Sequence, residues 1–306
     1  MTLEPCSHEG HQPPCVNLLL ESPIPEIVIA VRDPDLRVNG AGIRALEEAG
    51  KKVTLSVLSA EAKAWNFPFF ESKRRGRPVW IAKWAETPSG HLADAHGHSK
   101  WITGPRSRAY THWLRQKYDA IVVGARTFLL DQPALTVRDC ALPHHRNPER
   151  FVFDPKGLTL GLPPERKKGF RFLVCESVAP SAGRNASLTA GSAHASLTAG
   201  LDAESEVIRV PCAPDSPDLW IQFRDALEAY PFDRPLQSIM VEGGAVLIRE
   251  CFKENVFQAV HHFVGARTFD STDDRYRIQW QPDSSWKTLA RQEFDQDVLH
   301  EWIKED

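Results

Sequence analysis

Six short apolar runs recur after residue 78: VWIAKW at 79–84, AIVVG at 120–124, FVFD at 151–154, RFLVC at 171–175, VIRV at 207–210 and SIMV at 238–241. Their length and their β-branched and aromatic content predict strands. The segments between them carry turn residues or helical periodicity. Strands alternating with helices have two faces to bury, so the pattern predicts an α/β sandwich. Apolar segments at 256–264 and 288–303 are expected to add strands that close the sheet.

A shorter run of the same kind precedes it. Residues 26–31 (EIVIAV) predict a buried strand and 41–49 a helix stopped by Gly50, followed by a strand at 52–58 and a helix at 60–67. This β-α-β-α order needs at least one more strand and helix at its front to make a compact unit. The basic segment KRRGRP at 73–78 marks a boundary. It is read as a solvated linker, because a net charge of −3 with well-mixed signs gives no basic surface for nucleic acid. We therefore expect two domains, at 1–75 and 76–306. Residues 179–203 turn to Ala, Ser, Gly and Thr and contain ASLTAG twice, which predicts a disordered or loosely helical surface insertion. No apolar run approaches the roughly 20 residues of a membrane span. The first fifteen residues lack the basic start and apolar stretch of a secretory signal, so a cytoplasmic location is expected.

Three stretches carry chemistry. The first is residues 99–138. A polar loop, SKWITGP, leads into an amphipathic helix at 106–117 and then a strand ending at Gly124. The chain then turns to Arg126, Thr127, Asp131, Thr136 and Arg138. Strand ends in α/β folds are where ligands bind, so this stretch predicts a site for an anion, with Trp101 beside Ser99 and Thr103. The second is VEGG at 241–244, an apolar strand ending at Glu242 and two glycines before a helix. Such a turn admits a phosphate to the free N–H groups of the helix start, although tight turn packing explains it equally well.

The third is PCSHEGHQPPC at 5–15. Six cysteines are too few and too scattered for a disulfide scaffold, and Cys6 and Cys15 read as thiolate metal ligands. A catalytic zinc takes about three protein ligands and an open position. In zinc deaminases the third ligand is the His of an H-x-E motif, and none of the twelve histidines here is followed by x-Glu. His8 and His11 are the candidates to stand in. The loop His91-x4-His96-Gly97-His98 is read as a solvated loop.

In this order, TLEPCSHEGHQPPC, SKWITGP, the run from Arg115 to Arg138 and VEGG resemble the bifunctional deaminase–reductase of riboflavin biosynthesis, across nearly the whole chain. The resemblance implies a cytidine-deaminase-like zinc unit followed by a dihydrofolate-reductase-like domain. The second domain would use NADPH to reduce the ribosyl group of 5-amino-6-(5-phosphoribosylamino)uracil to the ribityl form. Cys6 and Cys15 match two zinc ligands, while the third ligand and the catalytic Glu have no counterpart. Ala85, Trp101, Thr127, Asp131 and the segment Gly244, Ala245, Val246, Leu247, Ile248, Arg249, Glu250 match cofactor positions; Thr103 is placed with them.

Ser99, Arg115, Leu135, Arg138 and Glu242 match substrate positions. Arg115 and Arg138 suit bidentate recognition of the substrate phosphate. Lys83 matches the family's lysine, placed to polarise the carbonyl or imine being reduced, and Glu242 is taken as its catalytic partner. The family's Ser-Leu-Asp-Gly turn is here Thr87-Pro88-Ser89-Gly90, which loses the acid. We expect a reductase with a truncated deaminase unit. The alternatives are a bifunctional protein whose front is missing from this chain, or a catalytically idle nucleotide-binding relative. A small phosphoribosyl-pyrimidine substrate, no nucleic-acid or membrane partner and a homo-oligomeric state are expected.

Overall fold

A computed structural model describes residues 1–9, 12–35, 37–138, 146–178 and 205–305. His11 and the insertion expected at 179–203 lie outside the described residues. The chain divides into two compact units, Met1–Arg77 and Pro78–Asp306.

In the first unit, α1 (Cys15–Glu21), β1 (Glu26–Ile29), α2 (Ala41–Glu48), β2 (Lys52–Leu55), α3 (Ser59–Trp65) and α4 (Phe67–Arg75) follow in order. β1 and β2 pair in parallel with Glu26 opposite Lys52. β1 is half-buried rather than wholly buried. Its alternate residues Ile27 and Ile29 pack on Val16, Ile43 and Leu46, and the intervening side chains face solvent. Residues 1–4 run beside β1: the amino group of Met1 donates to the Val28 carbonyl, Ala30 N–H to Met1 and Glu4 N–H to Val31. These residues form no strand, and the sheet of this unit has two strands, β1 and β2.

Two expectations are corrected. The second strand stops at Leu55, because Ser56 and Leu58 take positive φ and start α3. The basic cluster is no linker. Lys73, Arg74 and Arg75 form the last turn of α4, where the helix dipole favours cations, and left-handed Gly76 ends it. Lys73 pairs with Asp35 at 2.9 Å and Arg74 with Glu71 at 2.6 Å.

The second unit contains β3 (Val79–Glu86), α5 (Pro105–Lys117), β4 (Ala120–Gly124), α6 (Ala125–Asp131), β5 (Glu149–Phe153), α7 (Pro164–Lys167), β6 (Arg171–Cys175), β7 (Glu206–Val210), α8 (Leu219–Glu228), β8 (Ser238–Glu242), α9 (Ala245–Lys253), β9 (Ala259–Val264), β10 (Trp286–Phe294) and β11 (Asp297–Lys304). They build one sheet in the order β10-β11-β9-β3-β8-β4-β5-β6-β7. From β9 to β7 every pairing is parallel; β11 and β10 add antiparallel at one edge. The inner strands read as unbroken apolar runs because helices cover both faces. Trp80, Val122, Phe151, Leu173, Ile239 and Val241 are among the core they share with Phe223 of α8 and Ile248 of α9.

The strand order places the site. β8 sits between β3 and β4 although the chain reaches it last of the three. The chain leaves β3 over α5 toward β4, and leaves β8 over α9 in the opposite direction, toward β9. The connections therefore diverge above the carboxyl ends of β3, β8 and β4, the position at which open parallel sheets bind ligands. Here the stretch after Gly124 departs from the expected loop: it starts directly as helix α6, and the irregular chain begins at Gln132.

Candidate active site

Register brings the central pair together. Lys83 of β3 lies opposite Glu242, the last residue of β8, and parallel-register partners point to the same face. Lys83 Nζ is 3.5 Å from Glu242 Oε1 and faces the Phe263 ring at 5.3 Å. From α5, Arg115 Nε donates to Glu242 Oε2 at 3.0 Å and Nη2 to Oε1 at 2.8 Å. The pairing is bidentate, the strongest arrangement a guanidinium and a carboxylate make. Burial pushes the Glu242 carboxyl up, but Arg115 and Lys83 outweigh it and hold it at about 2. Burial pushes the Lys83 ammonium below its ordinary range; Glu242 opposes that and Arg115 adds to it. The carboxylate is therefore fixed as an anion, and the lysine is the group whose proton is most readily released.

Arg115 makes a further contact within the site. Its third nitrogen, Nη1, donates to the Thr136 carbonyl at 3.1 Å, and the residue is only 8% exposed. The guanidinium is engaged on two sides, by the Glu242 carboxylate and the Thr136 carbonyl. Arg138, the other arginine expected at the substrate phosphate, is exposed. Sequence reasoning missed His112, one helical turn before Arg115, whose Nδ1 lies 2.9 Å from the same Thr136 carbonyl. Together the two α5 side chains tie down residues 135–137. Leu135 is buried there at φ +51°, a conformation a branched residue adopts only when its surroundings impose it.

A second cluster adjoins α9. Gly244 N–H donates to Thr127 Oγ1 at 3.1 Å. A Cβ on Gly243, at φ +145°, would meet Thr127 Cγ2 at 3.3 Å, and one on Gly244 would meet Thr127 Oγ1 at 2.9 Å. A side chain at either position would press on the Thr127 side chain, and the positive φ of Gly243 favours glycine there. The first turn of α9 has no side-chain cap. Its N–H groups and dipole therefore suit an anionic phosphate, which fits the phosphate end of a dinucleotide.

Of the expected segment, Gly244, Ala245 and Val246 stand at this helix start. Leu247 and Ile248 are in the core, Arg249 donates to the Arg275 and Arg277 carbonyls, and Glu250 pairs with Lys253. At the end of α6, Asp131 accepts from Ser99 Oγ at 3.3 Å, and its backbone carbonyl accepts from Lys100 Nζ. Burial raises the Asp131 carboxyl above its ordinary range despite Ser99 and Lys100. Trp101 is 56% exposed, with the Arg108 guanidinium 4.6 Å over its ring, and Arg108 also donates to the Thr103 carbonyl. Ala85 lies half-buried on β3.

Asp297, which starts β11, was not foreseen. Its Oδ2 accepts from Gly104 N–H at 2.7 Å and Ser107 Oγ at 2.6 Å, which fixes the loop 99–104 onto the start of α5. The altered turn 87–90 is closed by its own side chains. Ser89 Oγ lies 2.9 Å from Thr87 Oγ1 and 3.0 Å from His91 Nδ1, so a hydroxyl relay stands where the resemblance expected an acid. In the loop that follows, the Asp94 carboxylate accepts from the His96 and His98 N–H groups and pairs with the His98 ring.

In the first unit Cys6 and Cys15 do meet. Cys15 N–H donates to Cys6 Sγ at 3.3 Å. The hydrogen bond to Cys6 raises the Cys15 thiol, and burial and the Cys6 charge add to it. Among the described residues no three His, Cys, Asp or Glu side chains converge as a metal site. Among the described residues the donors do not make up a catalytic zinc site, and the expected zinc finds no support there; His11, the other candidate ligand, lies outside them. The Glu4 carboxylate is structural. Buried, it accepts from Gly40 N–H at 2.8 Å and Asp33 N–H at 3.3 Å, capping the entry to α2.

Comparison with known proteins agrees with this architecture. The riboflavin biosynthesis protein RibD of Aquifex aeolicus is 40% identical over 156 residues, 51% of this chain and 43% of that protein. RibD of Escherichia coli K12 is 38% identical over 164 residues, 50% of this chain and 45% of that protein. The chain thus spans under half the length of these relatives. A Thermotoga maritima structure is described as a diaminohydroxyphosphoribosylaminopyrimidine deaminase/5-amino-6-(5-phosphoribosylamino)uracil reductase. It matches 99% of this chain and 78% of its own, with a TM-score of 0.71 and 28% identity. RibD of Acinetobacter baumannii shares the fold at a TM-score of 0.68 and 22% identity, over 99% of this chain and 80% of its own. The expected α/β class, a smaller α/β unit followed by a larger α/β domain on a mostly parallel sheet, is the one found. The RibD C-terminal domain family matches residues 78–299, about three quarters of the sequence, and the chain belongs to that family.

Proposed function

We propose that the unit from residue 78 onward is an NADPH-dependent reductase of riboflavin biosynthesis. It would reduce the ribosyl group of 5-amino-6-(5-phosphoribosylamino)uracil to the ribityl form. The observation that carries this reading is the buried Lys83–Glu242–Arg115 cluster beside the open N-terminus of α9, at the carboxyl ends of β3 and β8. Bound there, a nicotinamide dinucleotide supplies the hydride. Gly244 to Val246 would receive its phosphates, with Thr127 holding the turn and Trp101 offering an exposed ring.

The chain's own work is positioning and proton management. Hydride addition to the carbonyl or imine carbon of the opened sugar builds negative charge on the neighbouring heteroatom. Lys83, in its ammonium form, offsets that charge and donates a proton to the atom. Glu242 holds the ammonium in place and stabilises it, and Arg115 fixes Glu242. Arg115 and the exposed Arg138 are assigned to the substrate phosphate, and Ser99 and Leu135 border the substrate. The first unit retains the Cys6–Cys15 pair of a deaminase, but no step is assigned to it. Cytoplasmic location and a homo-oligomeric state belong to this proposal; no helix among the described residues is long and apolar enough to cross a membrane.

The test is NADPH oxidation by the purified chain with the phosphoribosylaminouracil substrate, for wild type, Lys83→Met and Glu242→Gln. Turnover should fall by about 10²–10⁴-fold in both variants, while NADPH affinity stays near that of wild type. Wild-type turnover in Glu242→Gln would remove the cluster from the chemistry. Tight NADPH binding with no turnover by the wild type would favour the idle relative.

A further inference from the structure

We propose that Cys175 and Cys212 form a reversible disulfide, a covalent modification site at the far edge of the sheet from β10. The site is independent of the reductase reading. Cys175 ends β6 and is fully buried; Cys212 lies just past edge strand β7 and is partly exposed. The sheet register sets Cys175 opposite Val210. The chain doubles back two residues later, where Cys212 N–H donates to the Val210 carbonyl at 2.7 Å. That bend returns Cys212 Sγ to 2.7 Å from Cys175 Sγ, across 37 positions of sequence.

Three further bonds fix the corner: Glu176 N–H to the Val210 carbonyl, Ser177 Oγ to the Cys212 carbonyl at 3.1 Å, and Arg209 Nη1 to the Val178 carbonyl at 2.6 Å. Two thiols on adjacent, hydrogen-bonded strands are thus held in sulfur contact before any oxidant arrives. Cys251, by contrast, is enclosed in the core under α9.

The exposed partner must react first. The Cys212 thiolate attacks one sulfur of a small disulfide such as oxidised glutathione. One glutathione thiolate leaves, and a mixed disulfide remains on Cys212. The Cys175 thiolate then attacks the Cys212 sulfur and expels the second glutathione thiolate. Two protein thiols are oxidised, one disulfide is reduced to two thiols, and the two protons lost by the cysteines are taken up by the departing thiolates. The product clamps edge strand β7 to β6 at their carboxyl ends.

The experiment equilibrates the whole chain with excess oxidised glutathione, alkylates the remaining thiols in denaturant and maps the peptides by mass spectrometry. The expected result is a linked peptide pair carrying Cys175 and Cys212, lighter by two hydrogens, unalkylated and released by dithiothreitol. Cys212→Ser should leave Cys175 fully alkylated, and Cys175→Ser should stop at the glutathione adduct on Cys212. Amide exchange at Val207–Val210 should slow in the oxidised wild type. Full alkylation of both cysteines, persistence of the mixed disulfide on wild-type Cys212, or linkage of either cysteine to Cys6 or Cys15 would overturn the proposal. The wild-type map decides even if a variant fails to fold.

Discussion

Replacing Arg115 with leucine removes the group that holds Glu242 ionised in the interior. The magnitude follows from the carboxyl itself, which the site lowers from 4.5 to about 2. At 1.36 kcal/mol for each tenfold change in proton affinity, this is worth about 3 kcal/mol of stability at neutral pH. Because the folded-state value is depressed, that contribution is complete above about pH 4.5. It shrinks as the pH falls, with roughly half left at pH 3, and is lost below about 2. Arg115→Leu should therefore cost about 3–5 kcal/mol at pH 7, the range seen when one partner of a buried pair is removed.

The cost should narrow at pH 3 by about half of that carboxyl contribution or more. The remainder reflects the lost packing of the buried side chain and the loss of one of the two α5 partners of the Thr136 carbonyl, His112 remaining. Urea denaturation followed by tryptophan fluorescence measures this directly. Eight of the nine tryptophans lie in the second unit, Trp65 being the exception, so the signal reports the part of the chain that contains the mutation. A cost identical at pH 7 and pH 3 would refute the electrostatic reasoning and leave only lost packing. Arg115→Lys, which keeps charge but not the bidentate geometry, should fall between the two.

Gly244→Val would press a side chain onto Thr127 Oγ1. It should cost about 1–3 kcal/mol by overpacking and weaken NADPH binding by fluorescence titration more than it lowers turnover at saturation. Asp297→Ala should release Gly104 and Ser107 from their acceptor, destabilise the second unit by about 1–3 kcal/mol in urea and raise the KM for cofactor more than it changes kcat. Glu4→Gln should destabilise the first unit by roughly 1–3 kcal/mol, read by amide exchange across α2, because a neutral amide is a poorer acceptor for the Gly40 and Asp33 N–H groups. Purified chain should hold well under one zinc per molecule by elemental analysis, and strong chelator should leave NADPH oxidation unchanged.

The amino-acid sequence by itself determined the local elements that rest on short-range preference. β4 and β6 fall where their apolar runs put them, and α5 differs from the periodicity by one residue at its start. Those runs are buried on both faces, so hydrophobicity and length suffice to mark them. The α/β class followed from their alternation, and the candidate site from ordered motifs carried by single loops. Where local signals competed, the reading failed. KRRGRP has the composition of a linker, yet Asp35 and Glu71 and the dipole of α4 give its cations partners. Residues 125–131 read as a polar turn, yet they are a helix whose apolar side packs Phe128 on Phe170 and Phe172.

Only the tertiary structure decided what the site residues do. Arg115 stands 127 positions from Glu242, and Asp297 stands 193 from Gly104. Cys175 reaches Cys212 through a strand register and a bend. No periodicity encodes such partners. They follow from β8 inserting between β3 and β4, which carries a carboxylate from late in the chain to a lysine and an arginine from early in it. Residue type suggested an anion-binding arginine at position 115, and the fold buries it with the Glu242 carboxylate within bonding distance. A charged side chain takes the nearest opposite charge that the fold removes from water, and the chain order does not say which that will be.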